Sequence, residues 1–167
     1  MYNELTEVDI KKMKEEIEYR SCELRQKLND ELADARALGD LSENDEYRCA
    51  KRNFCQNESR IRYLEKMIRT AKIIKADSAP DEVGLFDIVE VKYEDTGEIE
   101  TIRLSTTTRL DIAHGVYSKD SPFGKAILGK KVGDRVKVVV SEDIFYFVTI
   151  VSIKKGTDDD SLKLNEY

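Results

Sequence analysis

The side chains best suited to chemistry lie in one short acidic segment of this 167-residue chain. Residues 39–47 contain no basic side chain and four carboxylates: Asp40, Glu43, Asp45 and Glu46. Asp40 and Glu43 are three residues apart, so both could point forward from the end of a helical hairpin. Mg²⁺ commonly takes one or two carboxylates together with phosphate oxygens and waters, so two carboxylates are too few to make a tight site by themselves. The same pair also fits a helix cap, with Asp at the N-cap and Glu at N3.

A basic stretch follows this acidic segment directly. Residues 48–75 contain nine basic and two acidic side chains, whereas the whole chain has a net charge of −6. The negative total argues against general nucleic-acid binding, and the acidic excess lies in residues 76–167. Runs of charge are most often solvated faces. An alternative for the later bases is pairing with acids on the preceding helix, and these bases are Arg60, Arg62, Lys66 and Arg69.

Two long amphipathic segments position the acids. In the first, apolar side chains recur at spacings of three and four, with Ser21 filling one gap: Ile10, Met13, Ile17, Leu24, Leu28, Leu32, Ala35 and Leu38. In the second the alternation is unbroken: Tyr47, Ala50, Phe54, Asn57, Ile61, Leu64, Ile68 and Ala71. These spacings predict two helices, and the short connection at Gly39 makes them antiparallel neighbours. Asn57 is the one polar position of the second seam, where such a residue can fix the register. Residues 1–75 are therefore predicted to form an antiparallel coiled-coil hairpin with an acidic tip at 39–46.

Beyond residue 75 the apolar period changes to two, which is typical of strands. Four features follow a linker at residues 76–82: a β-hairpin around the turn at 94–97, a short helix at 121–128, and further strands at 135–140 and 144–153. The helix is predicted from Ser121 as N-cap and Pro122 at the first helical position. The fold class is thus α+β, with a small antiparallel sheet domain over residues 83–154 and a loose, disordered acidic tail over 155–167.

The remaining composition excludes several classes of protein. No apolar run approaches the roughly 18 residues that span a bilayer. The start of the chain lacks the basic and apolar regions of a secretory signal, so a cytoplasmic location and no membrane partner are expected. Three cysteines without a CxxC pair and a single histidine supply no ligand set for a zinc site. Cys49 and Cys55 are predicted to pack on or beside the helix seam, and His114 to be structural in a loop.

Two separated motifs resemble the signatures of one family, the bacterial GreA/GreB transcript cleavage factors. The first is the tip sequence Ala35-Arg36-Ala37-Leu38-Gly39-Asp40-Leu41-Ser42-Glu43-Asn44-Asp45-Glu46-Tyr47, and the second comprises Ser121-Pro122, Ala126, Leu128-Gly129 and Gly133-Asp134. The resemblance covers about residues 5–154, and the isoelectric point of about 5.0 favours the GreA type. It implies that the second domain is similar to the FKBP fold.

The resemblance also implies an accessory role at bacterial RNA polymerase. Such factors dock their second domain near the rim of the polymerase secondary channel and insert the coiled coil, whose tip acids help hold the second Mg²⁺ for cleavage of backtracked RNA. By this resemblance Asp40 and Glu43 complete the polymerase active site and share its Mg²⁺. No stable metal binding and no nuclease activity are expected from the chain alone. The predicted partners are RNA polymerase and the 3′ segment of nascent RNA, and the protein is expected to be monomeric.

Further roles fall to side chains in and near the two motifs. Contacts to RNA phosphates are expected from Lys51, Arg52 and Arg48. Support of the tip is expected from Leu41, Asn44, Glu46 and Tyr47, and docking on polymerase from Ser121, Pro122 and Phe123. For Phe123, as for Tyr146 and Phe147, packing in the core is an equal alternative. Tyr47 also begins the heptad seam, so packing in the core is an equal alternative for it.

Three function classes remain open on the sequence. The first is a cleavage factor, the second a Gre-like channel binder that inhibits or modulates polymerase without stimulating cleavage, and the third an unrelated coiled-coil chaperone or prolyl isomerase. The Gly-Asp-Leu-x-Glu-Asn pattern at the tip favours cleavage, although Asp45 adds an acid where the family often has a neutral residue. The third class leaves the acidic tip unexplained.

Overall fold

The computed structural model describes residues 3–37, 44–76, 78–159 and 161–165, and the chain divides into two compact units. The first unit consists mainly of Ile10–Lys72. The second consists of Ile73–Glu166 together with Glu4–Asp9. The predicted assignment of residues 1–75 to the hairpin is therefore wrong for Glu4–Asp9, whose contacts lie with the second unit.

Helices make up most of the first unit. In chain order the elements up to residue 73 are β1 (Asn3–Leu5), α1 (Glu7–Tyr19), a five-residue π-helical turn (Arg20–Leu24), α2 (Arg25–Ala37), α3 (Asp45–Arg69) and β2 (Ala71–Ile73), and the first unit takes those of Ile10–Lys72. The strands β1 and β2 form a two-stranded sheet. Along the helices, Glu16 pairs with Arg60 while the later Arg25 pairs with the earlier Glu58, so the two segments run in opposite directions. The predicted antiparallel helical hairpin is thus confirmed.

The seam of the hairpin is broader than predicted. Of the expected positions on α3, four are buried: Ala50, Asn57, Ile61 and Leu64. Arg60 and Met67 are buried in addition, and because they lie seven residues apart they extend the buried stripe along one side of the helix. Helix α3 ends at Arg69, so Ala71, predicted as the last seam position, lies in β2 instead.

Asn57 is held by one residue of the facing segment. Its side chain is 2% exposed, and its Nδ2 donates to the Arg20 carbonyl oxygen at 3.1 Å. Its Oδ1 accepts from Arg20 Nη1 at 3.3 Å. The Arg20 carbonyl also accepts the Arg25 N–H that closes the π-helical turn. Because a shift in register would leave the buried amide without these partners, Asn57 favours a single alignment of the helices.

The second unit is built on one five-stranded sheet. Its elements are β3 (Ile88–Tyr93), β4 (Ile99–Ser105), a 3₁₀ turn (Ile112–His114), β5 (Val116–Ser118), α4 (Pro122–Ile127), β6 (Arg135–Val139) and β7 (Phe145–Lys154). The strand order is β5-β4-β3-β7-β6. The predicted hairpin is confirmed as β3 and β4, and Gly97 in the turn between them has φ +74, a conformation that glycine adopts without strain. The α+β class is confirmed.

One face of this sheet and α4 enclose the core of the second unit. Its buried residues are Val83, Val89, Val91, Ile102, Leu104, Phe123, Ile127, Val136, Val138, Val148 and Ile150. They alternate along the strands, as expected for a sheet with one buried face. The sheet is mixed, however, because β5 pairs in parallel with β4. The prediction of an antiparallel sheet missed β5, since three residues are too few to display an alternating pattern.

Residues at the two ends of the predicted second domain are more ordered than expected. Val83 N donates to the Lys130 carbonyl, and the Asp81 carboxylate accepts from Lys131 Nζ at 2.6 Å, so the predicted linker contacts the sheet domain. The tail is anchored as well, since Asp158 pairs with Arg109 and Asp159 with Arg103. The prediction of a disordered tail is therefore wrong for residues 155–159 and 161–165, because these buried or half-buried arginines require carboxylate partners.

All three cysteines are exposed. The prediction that Cys49 and Cys55 pack at the helix seam is wrong, because both lie outside the positions that α3 buries. His114 lies in the 3₁₀ turn, where its Nδ1 is 2.7 Å from the Asp111 carboxylate, a local contact that fits the predicted structural role.

Candidate functional site

The acidic pair belongs to the connection between α2 and α3. Asp40, Leu41 and Glu43 lie outside the described residues, so their roles stay predictions. The residues that flank them are described: α2 ends at Ala37, and α3 begins at Asp45. The structure therefore describes the two helix ends that flank the acidic pair.

Asn44 joins the two helices at the base of that connection. Its Oδ1 accepts the Tyr47 N–H at 2.9 Å, the bond of an N-cap residue. Its Nδ2 donates to the Ala35 carbonyl at 2.8 Å, in the last turn of α2. One side chain thus ends one helix and starts the other, a geometry suited to the predicted support of the tip.

The identity of the cap bears on the alternative interpretation of Asp40. The N-cap of α3 is Asn44, four residues later in the chain than Asp40. Asn44 thus fills the N-cap position of α3, while Asp40 and Glu43 lie outside the described residues and the capping pattern read from them stays a prediction.

Tyr47 packs into the end of the hairpin. It is half-buried against a small cluster formed by Leu32, Ala35 and Ala50. Two cations lie over its ring, with the Arg36 guanidinium carbon 5.7 Å and Lys51 Nζ 5.9 Å from the centroid. Such cation–π contacts contribute about 0.5–1 kcal/mol at exposed sites. The packing alternative is therefore observed, and the ring helps hold Lys51 on this side of α3.

The predicted RNA-contacting bases share one exposed face of α3. Arg48, Lys51 and Arg52 are spaced three and four apart, so they are neighbours on the helix surface. Arg48 pairs with Asp45 in the first turn. Lys51 and Arg52 form no ion pair with any other described residue, so their charges are available to an anionic ligand. Glu46 is exposed in the first turn of α3, where the helix dipole favours an acid.

A buried ionic network lies further along the hairpin and was only partly predicted. The Glu16 carboxylate accepts from Arg20 Nε at 2.7 Å and from Arg60 Nε and Nη2 at 2.8 and 2.9 Å. Burial alone raises the pKa of Glu16, but hydrogen bonds and charges of Arg60 and Arg20 outweigh it, and the pKa lies below its usual value. Pairing of Arg60 with an acid of the first segment is thus confirmed.

For the other three bases of that alternative, no such pair occurs among the described residues. Arg62 donates to the Ser59 hydroxyl at 3.4 Å, and neither Lys66 nor Arg69 has an ion pair with a described residue. The network's first-segment members, Glu16 and Arg20, were not predicted. Their spacing of four residues with opposite charge was the available signal.

The predicted docking segment opens α4. The Ser121 hydroxyl accepts the Gly124 N–H at 2.9 Å and donates to the Ser118 carbonyl at 2.7 Å, so the predicted N-cap is confirmed. Gly124 has no room for a side chain, because a Cβ there would lie 2.1 Å from the Ser118 carbonyl oxygen. Pro122 is exposed beside this cap.

Phe123 is a core residue. It is 5% exposed, and its ring centroid is 5.1 Å from that of Tyr117. The prediction that Phe123 belongs to a docking surface is therefore wrong for this side chain, since a buried ring cannot contact a partner without unfolding α4. The core alternative for Phe123 is the one observed, because helix geometry turns this third member of the run inward.

Within the described residues no cluster of three or more histidine, cysteine or carboxylate side chains could hold a metal ion. No helix in that part of the chain is both long and apolar enough to cross a bilayer.

Comparisons with known proteins match both units. The family described as transcription elongation factor, N-terminal, matches residues 3–73, and the family described as transcription elongation factor, GreA/GreB, C-term, matches residues 77–155. The chain belongs to the GreA/GreB family of transcription elongation factors. The resemblance seen in the two sequence motifs is thus confirmed, and the GreA/GreB match extends beyond those motifs to nearly the whole chain.

Individual relatives agree with this assignment. The chain is 37% identical over 151 residues to transcription elongation factor GreA of Thermotoga maritima, which covers 90% of this chain and 97% of that protein. It is 42% identical over 135 residues to GreA of Bacillus licheniformis, covering 80% and 85%. Among solved structures it is similar to the transcription factor Gfh1, with 23% identity, coverage of 93% and 99%, and a TM-score of 0.45.

Proposed function

We propose that this GreA/GreB family member binds bacterial RNA polymerase, inserts its helical hairpin into the secondary channel and stimulates cleavage of backtracked nascent RNA. The observation that carries the proposal is the family match over both units, 3–73 and 77–155, in a chain whose α2–α3 connection contains the paired carboxylates. Relatives named GreA are transcription elongation factors at 37–42% identity. Nuclease activity is expected only in the complex with polymerase.

The division of labour at the tip follows from the residue types. Asp40 and Glu43 would hold Mg²⁺ jointly with the polymerase, and their carboxylate oxygens fit the oxygen ligands that this ion prefers. When bound, the ion supplies activation of the attacking water and stabilisation of the departing oxygen. Asn44, which directly follows this connection, bonds to both helices through the Ala35 carbonyl and the Tyr47 N–H.

The exposed bases of α3 would hold the RNA. Lys51 and Arg52, which have no ion-pair partner among the described residues, supply two cations on one helix face for phosphates of the extruded 3′ segment. Arg48 lies on the same face and has Asp45 as a competing partner. Such phosphate contacts would fix the position of the strand without selecting its sequence.

Docking on polymerase is assigned to the second unit at the start of α4. Pro122 is exposed there, and Ser121 holds the helix start through its two hydrogen bonds. Phe123 contributes by keeping α4 on the core.

The test uses backtracked polymerase with 3′-labelled RNA, to which the wild-type chain, Asp40→Asn or Glu43→Gln is added with Mg²⁺. Asparagine and glutamine keep size and polarity but remove the negative charge that the ion requires. Polymerase binding is measured separately for each variant by competition with a labelled wild-type chain. We expect cleavage by the wild type, at least a tenfold loss in each variant, and unchanged binding.

The outcomes separate the function classes. Binding without any cleavage by the wild type would support the inhibitory or modulating class. No binding at all would overturn the proposal, and cleavage of free RNA without polymerase would contradict the accessory role. If both charge-removing variants stimulated cleavage at the wild-type rate, the role of the acidic pair would be rejected.

A further inference from the structure

A carboxylate surrounded by tyrosines lies at the rim of the second unit's core. Tyr93 Oη donates to Glu100 Oε2 at 2.7 Å, and Tyr117 Oη donates to Glu100 Oε1 at 3.1 Å. The Tyr93 and Tyr146 rings are tilted against each other with centroids 5.7 Å apart. We refer to Tyr93, Glu100, Tyr117 and Tyr146 as the tyrosine–Glu100 cluster.

The backbone register places this cluster on the core side of the sheet. Glu100 in β4 lies directly opposite the buried Val91 in β3, and residues paired in this way point to the same face. The three tyrosine rings pack against the hydrophobic core, and Tyr117 also contacts Phe123 of α4. All four members are half-buried, so one side of the cluster packs on the core and the other side is accessible to solvent.

Glu100 lacks the cation that a buried carboxylate normally has. Among the described residues, no lysine, arginine or histidine forms an ion pair with it, and its two hydrogen-bond partners are neutral phenols. Deeper carboxylates of the same unit are paired, Asp9 with Arg109 at 2.6 Å and Asp87 with Lys155 at 2.8 Å. A half-buried charge without a counter-ion is costly, unless a ligand supplies one.

The pKa values of the three tyrosines are raised by burial and by this charge. Burial, followed by the hydrogen bond to Glu100, raises the pKa of Tyr117 to about 12 and raises that of Tyr93 further. Burial and then the charge of Glu100 also raise the pKa of Tyr146. All three rings therefore stay neutral at physiological pH, and the negative potential of the cluster comes from Glu100.

We propose that the tyrosine–Glu100 cluster binds an arginine side chain presented by RNA polymerase. A carboxylate flanked by tyrosine rings offers an ion pair and aromatic faces together, and each carboxylate oxygen retains a lone pair beyond its phenol bond. Guanidinium suits this site better than ammonium, because it is planar, stacks on aromatic rings and is less strongly hydrated. Tyr117 packs on Phe123 in the first turn of α4, so the cluster lies beside the helix whose start is the proposed docking segment. The choice of partner rests on the proposed function.

The first arm of the test uses the whole chain and a small probe. Aromatic NMR signals of the tyrosines are followed during titration with N-acetyl-arginine methylamide, and with the citrulline analogue as a neutral control of the same shape. We expect saturable shifts of the Tyr93, Tyr117 and Tyr146 signals with arginine only. Glu100→Gln should abolish them, whereas Glu98→Gln, an exposed change of equal charge in the same hairpin, should not. Equal shifts with citrulline, or shifts that persist in Glu100→Gln, would overturn the site.

The second arm measures affinity for polymerase. Glu100→Gln is expected to weaken binding at least tenfold relative to Glu98→Gln, because the arginine would lose its charged partner in a desolvated contact. Tyr146→Leu serves as a second variant: it removes one ring and leaves both hydrogen bonds of Glu100, so weaker binding is expected without loss of the fold, checked by circular dichroism. If the wild type fails to bind polymerase, the proposed function is wrong and the probe titration still decides the site. If the wild type binds polymerase and Glu100→Gln binds it with the same affinity as Glu98→Gln, this inference is wrong.

Discussion

Replacing Asn44 should loosen the tip of the hairpin while leaving the rest of the chain folded. Asn44→Ala removes the acceptor for the Tyr47 N–H and the donor to the Ala35 carbonyl. Loss of an N-cap side chain costs about 1 kcal/mol. Loss of a neutral hydrogen bond costs about 0.5–1.5 kcal/mol, so the two together give roughly 2 kcal/mol. Because the cost is local, it acts on opening of the first turn of α3.

Hydrogen exchange measures this opening directly. A cost of about 2 kcal/mol corresponds to roughly a thirtyfold increase in the open population, so the Tyr47 amide should exchange about thirtyfold faster in Asn44→Ala. Amides near Asn57 should be unchanged, since their partners lie elsewhere in the hairpin. In the cleavage assay the same variant should bind polymerase normally and cleave more slowly, because the acids are less well positioned.

Asn44→Asp separates the two hydrogen bonds. Aspartate caps a helix as well as asparagine does, so Tyr47 should keep its protection, but the donor to the Ala35 carbonyl is lost. Cleavage between the wild-type and Asn44→Ala values would assign part of the effect to the link between the helices. Wild-type exchange at Tyr47 in Asn44→Ala would refute the reasoning, and so would equal exchange in the alanine and aspartate variants.

Three further predictions test the network, the basic face and the second unit. Glu16→Gln should lower the free energy of unfolding, measured in urea at neutral pH, by about 2 kcal/mol. Because the pKa of Glu16 is lower in the folded state, this difference from wild type should persist above the unfolded-state pKa, near 4.5. It should vanish as the pH falls through the folded-state pKa of Glu16. Lys51→Gln with Arg52→Gln should weaken RNA crosslinking in the complex and make its salt dependence shallower by about 0.7 per removed charge, whereas Lys66→Gln on the same helix should not; equal slopes in all variants would reject the contacts. Arg109→Met should cost about 3–5 kcal/mol, because it leaves a fully buried aspartate without its cation, and a loss below about 1 kcal/mol would contradict that pairing.

Features governed by local sequence were predictable in this chain. The alternation from Ala50 to Leu64 on α3 defined the seam, and the Ser121–Pro122 pair defined the start of α4, because each pattern repeats or completes itself within a few residues. The turn ending at Gly97 was predictable for the same reason, since a positive φ favours glycine.

Features that depend on distant partners were not predictable. The tail is ordered because Arg103 and Arg109 bind Asp159 and Asp158 across about 50 positions of sequence, and no local pattern marks such pairs. The short strand β5 exists because β4 offers it an edge. The tyrosine–Glu100 cluster was missed likewise, since its four members lie on four strands, β3, β4, β5 and β7, that only the folded sheet brings together.

The cap of α3 also sharpens the test of the acidic pair. If Asp40 capped the helix, its removal would loosen the first turn of α3, and cleavage would fall through this loss of structure without any role for a metal. Because Asn44 fills that position, Asp40→Asn should leave exchange of the Tyr47 amide at the wild-type rate while cleavage falls. Asn44→Ala should change both quantities, so the two variants together separate positioning of the tip from its chemistry. Faster exchange in Asp40→Asn would mean that the acid stabilises the connection itself, and its loss of cleavage would then need no metal.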